Sequence, residues 1–175
     1  LQVQSKPPLP DLGQVQPVTM DCQSDLAARY FSEGAGLDEG DTGQQEQAII
    51  AYRQALVLDP SLVPALVNLA NLHYARDELI EAQALYERAI HLEPDCFEAY
   101  FNLGNIQHDL GRFGDACDCY QLALRLNPNY ADTHFYLAVT LEKLGRSEDA
   151  RPHWQTYQQL VPDGEWVALA KEFSE

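Results

Sequence analysis

Four asparagines with a regular spacing are the clearest candidates for binding chemistry in this sequence. Asn68 and Asn102 lie 34 residues apart, and so do Asn71 and Asn105. A side-chain amide carries both hydrogen-bond donors and an acceptor, so it can bond to the main chain of a peptide regardless of that peptide's side chains. If the two pairs are stacked by the fold, they form a short double ladder of amides.

Aromatic and polar residues accompany the asparagines at the same spacing. Amides that bind main chain, beside aromatic rings that contact side chains, favour a site for an extended peptide. Two alternatives stay open. The asparagines can bond locally between neighbouring structural units, and Phe101 or Phe135 can pack against an adjacent helix. The predicted partner-binding residues are Asn68, Asn71, Tyr74, Phe101, Asn102, Asn105, His108, Phe135 and Tyr136.

The histidines and cysteines do not form the pattern of a catalytic or metal site. The histidines are His73, His91, His108, His134 and His153, with no Glu or Cys at metal-ligand spacing around them. Cys117 and Cys119 are two residues apart on a predicted helix and so point to different faces, while Cys22 and Cys96 are isolated. Reduced thiols are therefore expected. With no phosphate-binding loop or nucleophile elbow either, we expect no enzymatic activity, no metal and no cofactor.

The elements that must position the candidate residues follow from a 34-residue repeat. The repeated positions are Pro60, Pro94, Pro128 and Pro162; Ala48, Ala82, Ala116 and Ala150; Tyr52, Tyr86, Tyr120 and Trp154; and Ala55, Ala89 and Ala123. This period, with small, aromatic and proline residues at fixed offsets, resembles the tetratricopeptide repeat (TPR) family. Each unit of such an array is a helical hairpin that buries its apolar face only by stacking on its neighbours.

The resemblance implies an all-α TPR solenoid, a right-handed superhelix of antiparallel helix pairs with about four repeats and a C-terminal capping helix. The predicted array spans residues 21–175, with repeats at about 27–62, 63–96, 97–130 and 131–164 and a cap helix at 165–174. In a TPR stack, positions 2, 5, 6, 9, 12 and 13 of each first helix line a concave groove. The nine candidate residues occupy such positions, and their amides resemble the asparagine ladder of O-linked N-acetylglucosamine transferases.

The N-terminal part of the chain departs from the regular repeat. Residues 1–20 contain four prolines and no helical period, which predicts an extended linker or tail. The first helix is expected to begin after Asp21 or Ser24, because either side chain can cap it. Tyr30, Gly34 and Leu37 match repeat positions 4, 8 and 11 only if the turn at Glu39–Gly43 contains about two extra residues.

Glycine and proline mark the ends and interruptions of the later helices. Gly111 and Gly145 are expected to end the first helices of two repeats in the left-handed conformation. Pro152 falls inside the second helix of the fourth repeat, where it is expected to bend the helix or delay its start.

Charge limits the classes of partner. The formal net charge of −16 disfavours nucleic acid and anionic membrane surfaces, and no apolar stretch approaches the length of a membrane span. Along the predicted groove Glu98, Asp109, Asp132 and Glu142 outnumber Lys143. A protein or peptide partner with a neutral or basic segment is therefore favoured, and the carboxylate clamp of chaperone-binding TPR cochaperones is not.

The end of the chain carries a narrower resemblance. His153-Trp154, Tyr157 and the run Pro-Asp-Gly-Glu-Trp at 162–166 resemble the C-terminal TPR region of predicted bacterial regulators with an N-terminal MerR-type domain. The leading hypothesis is thus a cytoplasmic interaction scaffold that can be the regulatory half of a transcription factor. The alternative is a self-association module, a homo-oligomer formed through the tail or the end cap. A periplasmic role stays open because the chain begins at Leu1 and not at Met.

Overall fold

The computed structural model describes residues 20–174, so the predicted tail, apart from Met20, lies outside the described residues. Within this range the chain forms nine α-helices and no strand. They are α1 Met20–Ala35, α2 Thr42–Leu58, α3 Val63–Ala75, α4 Leu79–Leu92, α5 Phe97–Asp109, α6 Phe113–Leu126, α7 Ala131–Lys143, α8 Ser147–Leu160 and α9 Val167–Ser174. None of these helices combines the length and the apolar character needed to cross a membrane.

The helices pack as four consecutive hairpins followed by a cap. Each first helix contacts the second helix of its own hairpin, and each second helix contacts the first helix of the next. The first helices α3, α5 and α7 also contact one another in order, and α9 packs on α8. The predicted all-α TPR solenoid is confirmed, with the first helices side by side on one face.

A small residue packed on a large ring holds each hairpin closed. The rings are Tyr52, Tyr86, Tyr120 and Trp154, and all four are buried. Gly104 lies so close to Tyr120 that a Cβ there would stand 2.6 Å from ring atom Cε1, and a Cβ on Gly34 would stand 2.7 Å from Cε1 of Tyr52. The first hairpin therefore has the same glycine-on-tyrosine contact as the third.

The turn of the first hairpin is longer than those of the others. Residues 36–41 connect α1 to α2, whereas three residues make each of the turns 76–78, 110–112 and 144–146. Asp41 caps α2, because its Oδ1 accepts from the Gln44 backbone N–H at 2.9 Å. The Gln44 side chain accepts from the Asp41 N–H at 3.0 Å. This reciprocal capping box lets α2 begin directly after the long turn.

The prediction that the first helix begins after Asp21 or Ser24 is wrong. Helix α1 begins at Met20, so both residues lie inside it and neither stands at the N-cap. A residue able to cap permits a helix start without imposing one, since the preceding residues can adopt helical dihedral angles as well.

The predicted left-handed glycines are confirmed, and the proline is tolerated. Gly111 and Gly145 have φ of +72° and +70° after α5 and α7. Asp77 has φ of +62° at the same place after α3, so this turn requires the left-handed region in three hairpins.

Pro152 lies inside α8, which still begins at Ser147. The helix start is therefore not delayed.

The two ends of the described stack differ in the surface that they present. On α3, Ala65 and Leu69 are buried against the preceding hairpin. The corresponding residues of α1 are Arg29 and Glu33, both exposed, so the N-terminal face is polar. At the other end α9 buries Ala170 against the last hairpin. A helix packed in this way covers apolar surface that the last hairpin would otherwise expose.

Candidate functional site

The fold brings the four asparagines together on neighbouring first helices. Asn68 and Asn71 lie on α3, and Asn102 and Asn105 lie on α5. The Asn102 side-chain N–H donates to Oδ1 of Asn71 at 3.0 Å, which links the two helices directly.

Buried tyrosines hold the inner side of this amide ladder. The hydroxyl of Tyr86 donates to Oδ1 of Asn71 at 2.5 Å, and that of Tyr120 donates to Oδ1 of Asn105 at 2.8 Å. Burial raises the pKa of both tyrosines, so the hydroxyls keep the proton that they donate. The repeated pair of tyrosine and asparagine therefore fixes each amide in one orientation.

Asn68 forms an additional tie between repeats. Its side-chain N–H donates to the hydroxyl of Tyr52 at 2.9 Å, and that hydroxyl donates to Asp38. Burial, followed by the bond to Asp38, raises the pKa of Tyr52. The alternative that the asparagines bond locally between neighbouring repeats is thus realised in the structure.

Part of each amide still has no partner within the described residues. Nδ2 of Asn71 and of Asn105 donates no hydrogen bond there, and Oδ1 of Asn68 and of Asn102 accepts none. Asn71 is exposed and the other three are partly exposed. The ladder therefore offers two amide donors and two acceptors to a ligand. The other amide atoms form the hydrogen bonds that fix the side chains in position.

The rings of Phe101, Phe135 and Tyr136 all pack against other rings but differ in their exposure. The Phe101 ring lies 6.1 Å from that of Tyr120, and the Phe135 ring lies 5.6 Å from that of Trp154. Both phenylalanines therefore pack against the second helix of their own hairpin and keep only partial exposure. Tyr136 is 39 % exposed and stands 34 residues after Asn102, so an aromatic ring continues that row of amides.

Tyr74 and His108 tie successive first helices together. The Tyr74 hydroxyl donates to Oδ2 of Asp109 at 2.5 Å. Nδ1 of His108 lies 2.8 Å from the Thr140 hydroxyl oxygen. Burial lowers the pKa of His108, which favours a neutral ring near neutral pH. These contacts hold α3, α5 and α7 in the order that the ladder requires.

Two hollows extend the groove at its ends. The N-terminal hollow, about 510 Å³, is lined by Ala35, Asp38, Glu39, Gln45, Asn68, Asn71, Leu72 and Ala75. The C-terminal hollow, about 350 Å³, is lined by Val139, Glu142, Lys143, Trp154, Leu169 and Phe173. The first hollow is polar and acidic, whereas the second is mainly apolar.

Several hollow residues were missed by the sequence reasoning. Asp38 and Glu39 fall in the first repeat, whose long turn interrupts the 34-residue spacing. Leu169 and Phe173 belong to α9, which is not part of a full repeat. The only available signal was their apolar character at helical spacing in the predicted cap.

The histidines and cysteines show no assembled reactive site in the part of the chain that is described. No three His, Cys, Asp or Glu residues between 20 and 174 are grouped so that they could hold a metal ion. None of the four cysteines, all of which lie in that range, forms a disulfide. Burial raises the pKa of Cys119 to about 11, so this thiol is a poor nucleophile.

Comparisons with known proteins agree on one type of repeat. Three family models described as tetratricopeptide or TPR repeats match residues 36–77, 67–131 and 119–151, and none of the three describes a MerR-type regulator. No curated protein matches the chain.

Solved structures show the same fold at low identity. The structure titled "Crystal structure of MamA protein" has a TM-score of 0.72 at 24 % identity, covering 85 % of this chain and 82 % of that one. The first TPR of Spaghetti (RPAP3), bound to the HSP90 peptide SRMEEVD, has a TM-score of 0.65 at 21 % identity, covering 70 % and 95 %. The Arabidopsis OM64 TPR domain has a TM-score of 0.66 at 17 % identity, covering 69 % and 98 %.

Proposed function

Since the chain is a tetratricopeptide repeat protein, we propose that it is a non-enzymatic interaction scaffold that binds an extended segment of a partner protein in its groove. The observation that carries this proposal is the set of outward amide groups. Asn71 and Asn105 offer donors, while Asn68 and Asn102 offer acceptors. A peptide main chain presents the complementary C=O and N–H groups in alternation.

The local hydrogen bonds of the ladder support ligand binding. Tyr86 and Tyr120 hold Asn71 and Asn105 by their oxygen atoms, so each amide points its N–H₂ group away from the helix pair. An amide fixed before binding loses less conformational freedom when a ligand arrives. The structural role and the proposed binding role of these residues are therefore compatible.

Charge along the groove favours a neutral or basic segment. Asp38 and Glu39 line the N-terminal hollow, Glu98 and Asp132 occupy predicted groove positions, and Lys143 is a cation at the C-terminal end. Exposed acidic groups increase the association rate of a basic ligand and are screened by salt. We expect affinity for a basic peptide to fall as ionic strength rises.

The proposal is tested by removing the outward donors while keeping the inner bonds. In the double variant Asn71→Asp and Asn105→Asp, a carboxylate oxygen still accepts from Tyr86 and Tyr120, but the N–H₂ groups are lost. The probe is a fluorescein-labelled peptide selected from a random phage-displayed library on the whole chain. We expect at least about tenfold weaker binding in fluorescence polarisation, since two hydrogen bonds of about 1 kcal/mol each are removed.

A charge-matched variant completes this experiment. Gln121→Asp with Gln155→Asp adds the same two charges at exposed positions of α6 and α8, away from the ladder. Added negative charge alone strengthens binding of a basic peptide, so weaker binding of the ladder variant reports the lost donors. Equal affinity in the wild type and the ladder variant, or failure of any peptide to be selected, would overturn the proposal.

Self-association is a second candidate because the C-terminal cap exposes aromatic surface. Trp166 is 47 % exposed and Phe173 is 40 % exposed. Light scattering measures the mass of three proteins: the whole chain, a chain beginning at Asp21, and the double variant Trp166→Ser with Phe173→Ser. The three masses distinguish a dimer formed through the tail from one formed through the cap. Loss of a dimer only on shortening assigns the contact to the tail, and loss only in the double variant assigns it to the cap. A monomer throughout leaves the groove free for an external partner.

The regulatory role in a cytoplasmic transcription factor rests on the resemblance of the C-terminal residues and the first repeat to the TPR region of MerR-type regulators. It predicts that the gene encodes a MerR-type helix-turn-helix domain upstream of Leu1. Sequencing that upstream region tests it, and a gene with no such domain would contradict it.

A further inference from the structure

The groove differs chemically between its ends. We propose that it recognises a bipartite peptide, in which an apolar side chain enters the C-terminal hollow and a basic side chain enters the N-terminal hollow. This inference rests on the proposed function and adds the chemistry of the partner.

The C-terminal hollow begins where the amide ladder stops. Val139 lies 34 residues after Asn105, so the repeat position that carries an amide on α3 and α5 carries an apolar side chain on α7. Behind it the Trp154 ring is 1 % exposed and stacks on Phe173 with centroids 5.8 Å apart. Leu169 also lines this hollow, so the surface that a ligand contacts at this end is mainly hydrocarbon.

The polar groups at the rim of the C-terminal hollow do not favour a charged ligand. Glu142 accepts from the indole N–H of Trp154 at 3.4 Å and from the Ser147 hydroxyl at 2.5 Å. Lys143 follows it in sequence and is exposed at the same rim. One carboxylate and one ammonium leave this end without net charge, so apolar contact area decides which side chain binds.

The N-terminal hollow has the opposite character. Asp38 and Glu39 line it together with the amides of Asn68 and Asn71, and no Lys or Arg is among its lining residues. Asp38 is kept in place by the Tyr52 hydroxyl that donates to it. Two carboxylates beside the available Oδ1 of Asn68 complement an ammonium or guanidinium group, which supplies only donors.

The distance between the hollows sets the spacing of the peptide. The carboxylates of the N-terminal hollow follow α1, and the apolar hollow is built on α7. From α1 through α3 and α5 to α7 there are three steps between first helices, and neighbouring helix axes stand roughly 10 Å apart. Three steps therefore span about 30 Å, and an extended strand advances about 3.3 Å per residue, so the apolar and basic residues of the ligand should stand about nine residues apart.

Synthetic peptides of defined sequence provide the probe. Fluorescein-labelled Gly/Ser peptides carry one leucine and one arginine about nine residues apart, in both orders, or only one of the two. For the whole chain we expect the better bipartite order to bind at least about tenfold tighter than either single peptide. Equal affinity of the bipartite and single peptides would overturn the inference.

Two protein variants assign each half of the recognition. Val139→Asn introduces the residue that α3 and α5 already carry at this position, so the hairpin should still fold, and it should abolish the gain from leucine. Glu39→Gln, at an exposed residue, should reduce the gain from arginine and its salt dependence. If Val139→Asn leaves the gain from leucine unchanged, the C-terminal hollow is not the apolar site.

These outcomes separate the inference from the proposed function. A library-selected peptide that loses affinity in the Asn71→Asp, Asn105→Asp variant but not in Val139→Asn would retain the scaffold and refute bipartite recognition. Failure of the selected peptide to respond to the ladder variant would refute the scaffold proposal itself.

Discussion

Replacing Gly104 by alanine should destabilise the array because the new methyl group would meet the ring of Tyr120. A Cβ at residue 104 would lie 2.6 Å from Cε1 and 2.7 Å from Cδ1 of that ring. The ring cannot move away freely, because it is fully buried and its hydroxyl donates to Asn105 at 2.8 Å. The Phe101 ring, 6.1 Å away between centroids, closes another side.

Two opposing terms set the size of the effect. Overpacking a well-filled contact costs about 1–3 kcal/mol. Alanine in place of glycine favours a helix by up to about 1 kcal/mol. Gly114→Ala is the matched control, since Gly114 lies in the first turn of α6 and, apart from its chain neighbours and the local backbone of its own helix, no heavy atom stands within 4 Å of the place that a methyl group would take there. The free energy of unfolding of Gly104→Ala should therefore fall below that of Gly114→Ala by about 1–3 kcal/mol.

Urea unfolding followed by far-UV circular dichroism and by tryptophan fluorescence measures this difference. Coincident transitions by the two probes justify a two-state free energy for so short an array. A Gly104→Ala protein as stable as the Gly114→Ala protein would refute the packing argument. It would mean that the α5–α6 hairpin opens to accept a methyl group, as the α3–α4 hairpin holds the fully buried Ala70 at the equivalent position.

Two further predictions concern the turns and the neighbouring pair His134 and His153. Gly111→Ala should lower the free energy of unfolding by about 1–2 kcal/mol, because φ is +72° at this residue. Asp77→Gly, at φ +62°, should not lower it, because glycine adopts this conformation without steric cost. Equal effects of the two variants in urea unfolding would contradict this. Burial and the neighbouring His134 lower the pKa of His153 to about 4, so the folded chain binds fewer protons than the unfolded chain, whose histidine titrates near pH 6.5. The contribution of His153 to stability should therefore be complete above about pH 6.5 and fall by about 1–3 kcal/mol toward pH 4, and a pH profile unchanged in His153→Gln would refute this.

The sequence predicted the features that depend on local, repeated signals. The 34-residue period predicted the hairpins and their stacking, because each unit must bury the same apolar face. Gly111 and Gly145 predicted left-handed helix ends, because glycine adopts that conformation without steric cost. The predicted start of α1 was wrong by a few residues, since Asp21 and Ser24 only permit a helix start and do not impose one.

The peptide-binding role of the candidate residues stays a prediction, but their surroundings could not be derived from the sequence. Asn71 repeats in Asn105, yet nothing in that spacing says that a buried tyrosine from the second helix binds each amide by its oxygen. Phe135 likewise fits a groove position, although its ring packs on Trp154 and keeps only partial exposure. Both outcomes depend on contacts between helices, which sequence spacing does not specify.

The sequence by itself determined the repeat, the all-α architecture, the acidic character and the repeat positions of the nine candidate residues, because periodicity and charge are properties of the chain alone. Only the tertiary structure decided which atoms of those residues remain available and where the two hollows lie. The hollow at the C-terminal end combines Val139 on α7 with Leu169 and Phe173 on the cap. Such a surface exists only when the cap packs on the last hairpin, so its chemistry depends on how the helices stack.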